Sequence, residues 1–317
     1  TLMIPELAVT VIIFLLLLLK LGKSISNERF LLIARVLLLI NLVLGFTAVE
    51  EGSLFGGSYL TSLLITYEKN LLSAGVLLLS FLFTGWFRQS RHTPEFFMLM
   101  LSSLLGMFFL LSSGNLLMFY LSLELASIPA AAMVNFDPER RQSSEGAMKM
   151  ILNSAFSSGI LLFGISLLYG ATGTLDFEQL PALVKAEPLQ ILGFIFIFAA
   201  FAFKLSVVPF HLWTADVYEG SPINITAYLS VVSKGAAVFI LMIMLYKVFG
   251  VLQETWESLL YILAVLTMTI ANLFALRQNN MKRFLAFSSI AQAGFILLGI
   301  MGADANGMTS VVYFMFI

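Results

Sequence analysis

The sequence predicts an all-α membrane protein, a polytopic bundle of about ten or eleven transmembrane helices. Three observations predict this fold. The chain has 317 residues, of which 60% are hydrophobic and 11% charged, whereas an average soluble domain carries about 25% charged residues. The apolar residues form runs of about 20, the length that an α-helix needs to cross a bilayer. The runs lack the alternation of apolar and polar residues that a membrane β-barrel requires.

Each apolar run is interpreted as a helix, because a helix satisfies its own backbone hydrogen bonds in lipid. The complete runs cover residues 4–19, 30–49, 71–87, 96–111, 116–136, 147–169, 189–210, 223–248, 258–276 and 284–301. A further run begins at Met308 and is still apolar at Ile317. Because that run is too short to cross a bilayer, we expect the sequence to be a fragment of a longer protein.

Basic residues in the loops indicate the orientation, because Lys and Arg are retained on the inside of a membrane. With the amino terminus outside, the outside loops carry only Lys69, Lys185 and Lys247. The inside loops carry the larger group of basic residues: Lys20, Lys23, Arg29, Arg88, Arg91, Arg140, Arg141, Arg277, Lys282 and Arg283. The sequence therefore predicts that the amino terminus lies outside.

The composition also excludes several kinds of site. The chain contains no cysteine, which excludes disulfides, iron–sulfur clusters and thiolate zinc sites. Its two histidines, His92 and His211, offer little for metal ligation. A formal net charge of -1 argues against a nucleic-acid partner. We expect neither a cofactor nor a metal in this chain.

The ionisable residues within the apolar runs include Glu124, Lys149, Lys204 and Lys234. A charge at the bilayer centre costs at least about 2.5–3.5 kcal/mol, so these residues indicate an ion path unless their side chains reach the interface. Glu124 is too short to do so and needs a cation partner, or else it is a protonated packing residue. Lys149 and Lys204 could reach the inside surface, whereas Lys234 lies near mid-membrane.

The stretch FAFKLSVVPFHLW, residues 201–213, combines two of these features. Pro209 removes a backbone donor and is predicted to break the helix. A broken helix is tolerated at membrane depth where it lines a cavity or is buried in protein. His211 follows Lys204 by about two helical turns and titrates near neutral pH, although it could also cap a helix or fill a core. Together these groups predict a path for protons.

Several stretches resemble one family. They are LELASIPAAAMVNFDPERRQSSEGAMKM, LLFGISLLYGATGTLDF, FKLSVVPFHLWTADVYEGSPINITAYLSVVSKGAA and NLFALRQNNMKRFLAFSSIAQAGFILLG. They are similar to the antiporter-like membrane subunits of bacterial NADH:quinone oxidoreductase, respiratory complex I. The stretch DVYEGSPINITAYLSVVSK favours the subunit N family over subunits L and M and the Mrp-type cation/proton antiporters. The resemblance covers residues 116–300.

The resemblance implies roles for five residues. The membrane glutamate of the family corresponds to Glu124, in LEL, and its seventh-helix lysine to Lys204, in FKLS. The eighth-helix lysine corresponds to Lys234, in VVSK, and the sixth-helix lysine to Lys149, in AMKM. The relay histidine corresponds to His211, in PFH. All five would take part in proton translocation.

The resemblance also implies a domain organisation. The family has fourteen helices, with a broken seventh helix and two related five-helix units of inverted topology. Within one membrane domain, residues 1–94 would form peripheral helices, residues 95–250 the first unit and residues 251–317 the start of the second. The key lysine of the second unit would lie beyond Ile317.

The implied function is that of a proton-translocating subunit in the membrane arm of complex I. The chain would belong to a translocase without performing redox chemistry, because NADH, FMN, iron–sulfur clusters and quinone would be bound by other subunits. Its partners would be the lipid bilayer, small subunits such as K and J, and the antiporter-like subunit M. It would lie in the bacterial inner membrane.

As a hypothesis, Glu124 pairs with Lys204, and separation of the pair sends a proton on toward Lys234. Two alternatives stay open. A stand-alone cation/proton antiporter would use the same buried charges, and purification without a dozen other subunits would favour it. In a structural scaffold subunit the charges would only hold helices together, and their replacement would leave pumping intact.

Overall fold

The computed structural model describes residues 2–22, 25–47, 50–302 and 305–316. Within these ranges, ten helices are long and apolar enough to cross a membrane. This confirms the predicted all-α transmembrane bundle. The expectation that Lys23 lies in an inside loop falls outside the described residues.

The first part of the chain contains six helices and a small hairpin. The elements are α1 (Ile4–Leu21), α2 (Asn27–Thr47), β1 (Gly52–Leu54), β2 (Tyr59–Thr61), α3 (Leu63–Leu82), α4 (Thr84–Gln89), α5 (Thr93–Leu111) and α6 (Leu116–Val134). Side-chain caps fix two of the helix starts. The side chain of Ser62 accepts the N–H of Ile65 before α3, and that of Asn115 accepts the N–H of Met118 before α6. Such caps satisfy donors that have no acceptor within the helix.

The second part of the chain contains the interrupted helices. The elements are α7 (Arg141–Thr172), α8 (Leu180–Leu183), α9 (Pro188–Leu205), α10 (Leu212–Gly220), α11 (Ile223–Val248), α12 (Gln253–Leu276), α13 (Met281–Met301) and α14 (Ala305–Phe316). Within α11, Leu229–Ser233 and Met244–Val248 are π-helical. Such π segments are rare in proteins. Those that do occur often lie at functional sites.

The chain divides into two compact units. Unit 1 consists of Thr1–Phe136 together with Ile223–Ala236. Unit 2 consists of Asp137–Pro222 together with Ala237–Ile317. Helix α11 therefore contributes its first part to unit 1 and the remainder to unit 2.

In unit 1, the close packing of α5 on α6 fixes the helix that carries Glu124. A Cβ atom at Gly106 would lie 2.4 Å from the backbone nitrogen of Ala126, so only glycine permits this approach. The hydroxyl of Ser103 donates to the carbonyl oxygen of Ala126 at 2.7 Å. The two contacts hold α6 by its backbone.

In unit 2, α7 packs against both α9 and α10. A Cβ atom at Gly220 would lie 2.2 Å from the carbonyl oxygen of Gln142, so the end of α10 meets the start of α7 backbone to backbone. Asp216 lies about one turn before Gly220. This packing therefore brings Asp216 near the first turns of α7.

The prediction that Lys69 lies in an outside loop is wrong. Helix α3 begins at Leu63, ahead of the predicted residue 71, and Lys69 is only 1% exposed. Its ammonium contacts the carboxylate of Glu6 in α1 at 2.5 Å. The two opposite charges neutralise each other. The residues around Lys69, which the sequence predicts as a polar loop, can therefore form part of a buried helix.

The seventh span ends earlier than its apolar run. The sequence predicts a helix to residue 210 with a break at Pro209, but α9 ends at Leu205 and Ser206 adopts the left-handed conformation, with φ 62° and ψ 37°. The break therefore precedes Pro209. Replacing Pro209 by Ala would not be expected to join α9 to α10.

Candidate functional site

The break between α9 and α10 is held by hydrogen bonds from both sides. A left-handed conformation costs an L-residue about 1–2 kcal/mol, so Ser206 needs support. The hydroxyl of Thr214 donates to that of Ser206 at 2.5 Å. The indole of Trp213 donates to the carbonyl oxygen of Phe203 at 3.2 Å. These bonds provide partners for polar groups at the end of α9. They also hold the first turn of α10 against that end.

Lys204 lies in the last turn of α9, directly before the break. Its side chain is half-buried. The carboxyl end of a helix carries partial negative charge, which stabilises a cation in the last turn. The helix break therefore places the lysine beside the partial negative charge of a helix end.

His211 is the residue that precedes α10, and it is 5% exposed. Among the described residues, neither ring nitrogen has a side-chain partner, and the backbone of Pro209 interacts with the imidazole. The ring packs against that of Phe274 in α12, with 6.2 Å between centroids. An imidazole can accept and release a proton near neutral pH.

Lys149 belongs to a charged cluster that joins three helices of unit 2. Its Nζ donates to Oδ2 of Asp216 at 2.7 Å and contacts Oε1 of Glu145 at 2.8 Å. The other oxygen of Asp216, Oδ1, accepts from Nη1 of Arg283 at 2.7 Å. Arg283 also donates to Oε2 of Glu219 at 2.8 Å. Helices α7, α10 and α13 thus meet through alternating charges.

Asp216 stays ionised in this cluster. Burial raises the pKa of the carboxyl, while hydrogen bonds from Lys149 and Arg283 lower it, and the net pKa lies below its ordinary value. An opposite charge at contact distance stabilises the charged form of a carboxyl group. Asp216 is therefore a carboxylate at neutral pH.

A cavity of about 380 Å³ lies between α7, the end of α9 and the break. Lys149, Asn153 and Asp216 supply polar atoms, and Pro209 and Trp213 line it at the break. The remaining wall is apolar: Phe156, Ile160, Ala199, Ala200, Phe203, Phe210 and Leu212, with Ser157 beside them. A cavity with several polar partners and this volume can hold water.

Two predicted site residues belong to unit 1. Glu124 is half-buried on α6. Lys234 is 6% exposed and follows the first π segment of α11. The predicted pair of Glu124 with Lys204 joins residues of different units and stays a prediction.

The sequence interpretation missed the two residues that join Lys149 to α13. Asp216 was not recognised, and Arg283 was counted as a loop charge, although it lies in the first turn of α13. Their contact spans 67 residues of the chain, and no local pattern pairs residues so far apart. The acid in TADVYEG, just after the break, was the available signal.

The chain is similar to proteins of one family. A family model described as NADH:quinone oxidoreductase/Mrp antiporter, TM, matches residues 113–317. The chain is 47% identical over 312 residues to NADH-quinone oxidoreductase subunit N of Phocaeicola vulgatus, covering 98% of the chain and 66% of that relative. It is 38% identical over 283 residues to subunit N of Desulforamulus reducens, covering 87% and 60%. The chain thus spans less than two thirds of either relative.

Solved structures share the fold. One is respiratory complex I from Thermus thermophilus with bound aureothin, with a TM-score of 0.81 and 29% identity to one chain, over 98% of this chain and 67% of that one. Another is the Mrp complex from Dietzia sp., with a TM-score of 0.85 and 20% identity, over 98% and 61%. The second likeness concerns the fold alone. Both confirm the predicted antiporter-like architecture.

Proposed function

Because the chain belongs to the NADH:quinone oxidoreductase/Mrp antiporter transmembrane family, we propose that it is a proton-translocating subunit of the membrane arm of an NADH:quinone oxidoreductase. The observation that carries the proposal is the position of Lys204, in the last turn of a transmembrane helix directly before a break. A titratable group at a helix break can meet water within the membrane. The likeness to subunit N proteins supports this particular enzyme.

The proton path uses the five residues that the sequence singles out. In this proposal Glu124 and Lys204 are functionally coupled, and the coupling holds the proton on Lys204. When a signal from a neighbouring subunit separates them, Lys204 releases its proton toward Lys234, which is buried after a π segment. Lys149 and His211 exchange protons with the water of the cavity and the break. Each step moves a proton between groups of this chain, and a coupled pair of this kind titrates as a unit.

The chain contributes translocation and no redox chemistry. NADH, FMN, iron–sulfur clusters and quinone belong to other subunits, which agrees with the absence of cysteine from this sequence. The partners are membrane-arm subunits such as K, J and M. The protein lies in the bacterial inner membrane with its amino terminus outside. Residues 95–250 form the first antiporter-like unit, between the peripheral helices 1–94 and the start of a second unit at 251–317.

A stand-alone cation/proton antiporter is the second candidate. The description of the matching family model, NADH:quinone oxidoreductase/Mrp antiporter, TM, favours it. Purification of the full-length protein from its native membrane separates the two candidates. We expect it to co-purify with the other subunits and with NADH:quinone activity, whereas an antiporter of its own would purify without that activity.

The variant that tests the proposal is Lys204→Met in the full-length protein, within the assembled complex. The change conserves volume and removes the titratable group, so we expect assembly to survive and NADH-driven proton pumping to fall at least about tenfold. Lys185→Met is the matched control, because Lys185 is exposed in a loop. Normal pumping by an assembled Lys204→Met complex would refute the proposed function.

A further inference from the structure

We propose that Asp216 is a positioning residue for Lys149 and that Arg283 holds Asp216 in place for this task. The inference rests on the proposed function, because it assigns Lys149 to proton translocation. It adds Asp216 and Arg283 to the residues that act near the helix break, and through Arg283 it involves helix α13.

The geometry gives each cation its own oxygen of Asp216. Lys149 binds Oδ2 and Arg283 binds Oδ1, each at 2.7 Å. The two cations therefore do not compete for one acceptor. Lys149 can leave while the carboxylate stays paired with Arg283, which avoids the penalty of a stranded, partly buried charge.

The two cations differ in how firmly they are held. Arg283 makes further hydrogen bonds, from Nη1 to Glu219 and from Nε to Gln278 at 3.3 Å. Glu219 in turn accepts from Asn280 at 2.8 Å. An arginine with several fixed acceptors is a rigid anchor. Arg283 and Asp216 thus form a fixed support.

Lys149 has freedom that Arg283 lacks. Its second partner is the exposed Glu145 on its own helix, and its side chain is 40% exposed. A lysine is a point charge on a flexible stem, so it can exchange Glu145, Asp216 and cavity water as partners. Because Lys149 and Asp216 both line the cavity, the fixed carboxylate keeps the lysine at the cavity wall.

The charged groups around Asp216 define its response to pH. Lys149 and Glu145 face it from α7, Arg283 faces it from α13, and Glu219 shares Arg283 from its own helix. Burial raises the pKa of Asp216 and the two cations lower it. Without Arg283, only Lys149 would counteract the effect of burial. The pKa of Asp216 would therefore rise.

The experiment measures NADH-driven proton pumping from pH 3.5 to pH 8, with the full-length protein in the complex reconstituted in vesicles. In Arg283→Gln, we expect the loss of pumping on the acid side to begin at a higher pH than in the native protein, because the pKa of Asp216 rises. In Asp216→Asn, we expect pumping to fall about threefold or more at all pH values, without that shift, because the titrating group is gone. If Arg283 had only a structural role, its replacement would not shift the acid limb, that is, the acid side of the pH profile of pumping.

Matched variants complete the test. Arg277→Gln removes the same charge from an exposed position nearby and should keep the native profile. Arg283→Lys keeps a cation beside Asp216 and should keep the native acid limb, and Asp216→Glu should restore part of the pumping. Native pumping and a native acid limb in Arg283→Gln would overturn the inference.

Two further outcomes are also decisive. Failure of Asp216→Asn to assemble would show a structural role and overturn the inference. If Lys204→Met abolishes pumping while Asp216→Asn pumps normally, the inference fails and the proposed function stands. If Lys204→Met pumps normally, the proposed function itself fails.

Discussion

Lys69 and Lys149 show how two lysines in transmembrane helices can serve different purposes. The ammonium of Lys69 donates to Glu6 at 2.5 Å, to the hydroxyl of Tyr59 at 3.2 Å and to that of Ser112 at 2.6 Å. A lysine has three donors, so every donor of Lys69 is used by a fixed, buried acceptor. Lys149 is partly exposed and has alternative partners. We infer that Lys69 holds helices together and that Lys149 can move.

The first prediction concerns Lys69→Met in unit 1. The change strands the carboxylate of Glu6, which is 1% exposed, and breaking a buried pair in this way costs about 3–5 kcal/mol. We expect a lower midpoint of thermal denaturation for the purified complex and a smaller yield of assembled complex. The double variant Glu6→Gln with Lys69→Met should recover part of the loss, because no unpaired charge remains.

Lys20→Met is the control for this prediction. It removes the same side chain from an ion pair with Glu95, whose atoms are 2.7 Å apart at the surface of the same unit. Such pairs contribute about 0–1 kcal/mol, so the midpoint should hardly change. Equal effects of Lys20→Met and Lys69→Met would contradict the structural role of Lys69.

At the scale of elements, the break after α9 depends on one residue in a left-handed conformation. Ser206 has a positive φ of 62° although it carries a Cβ atom. Its N–H donates to the carbonyl oxygen of Phe203 at 3.0 Å, and its hydroxyl accepts from Thr214. The surrounding bonds impose the conformation, because the residue type does not prefer it.

The prediction for this element compares Ser206→Gly with Ser206→Ala. Both lose the hydroxyl that accepts from Thr214, but glycine adopts positive φ without steric cost. The glycine variant should therefore be more stable than the alanine variant by about 1 kcal/mol. Thermal denaturation of the two purified complexes measures the difference. An alanine variant as stable as the glycine variant would mean that α10 does not depend on this backbone conformation.

The elements also show where sequence reasoning succeeds. The span Ile223–Val248 was predicted to the residue, because a long, mostly apolar run follows the SP dipeptide at 221–222. The start of α3 was missed, because Glu68, Lys69 and Asn70 look like a polar loop. Partners from other parts of the chain, among them Glu6 in α1 and Ser112, make that stretch compatible with burial. A local pattern cannot reveal such a partner.

At the scale of the whole molecule, the sequence could indicate which charged residues are energetically unfavourable in a membrane. It could not indicate how these residues are arranged in space. Lys204, Lys234 and Glu124 stand out because they interrupt apolar runs. Asp216 and Arg283 do not, since each lies in a stretch with other polar residues. Their importance follows from tertiary packing alone, through a contact between residues 67 positions apart.

The central proposal is that Glu124 and Lys204 are functionally coupled in moving protons. The measurement is the number of protons pumped per NADH oxidised, in vesicles that contain the complex with full-length Glu124→Gln, Lys204→Met or both changes. Either change alone should disable the coupled pair. The double variant should therefore pump about as many protons per NADH as the less active of the two single variants. Losses that multiply in the double variant, or normal pumping in either assembled single variant, would contradict the claim.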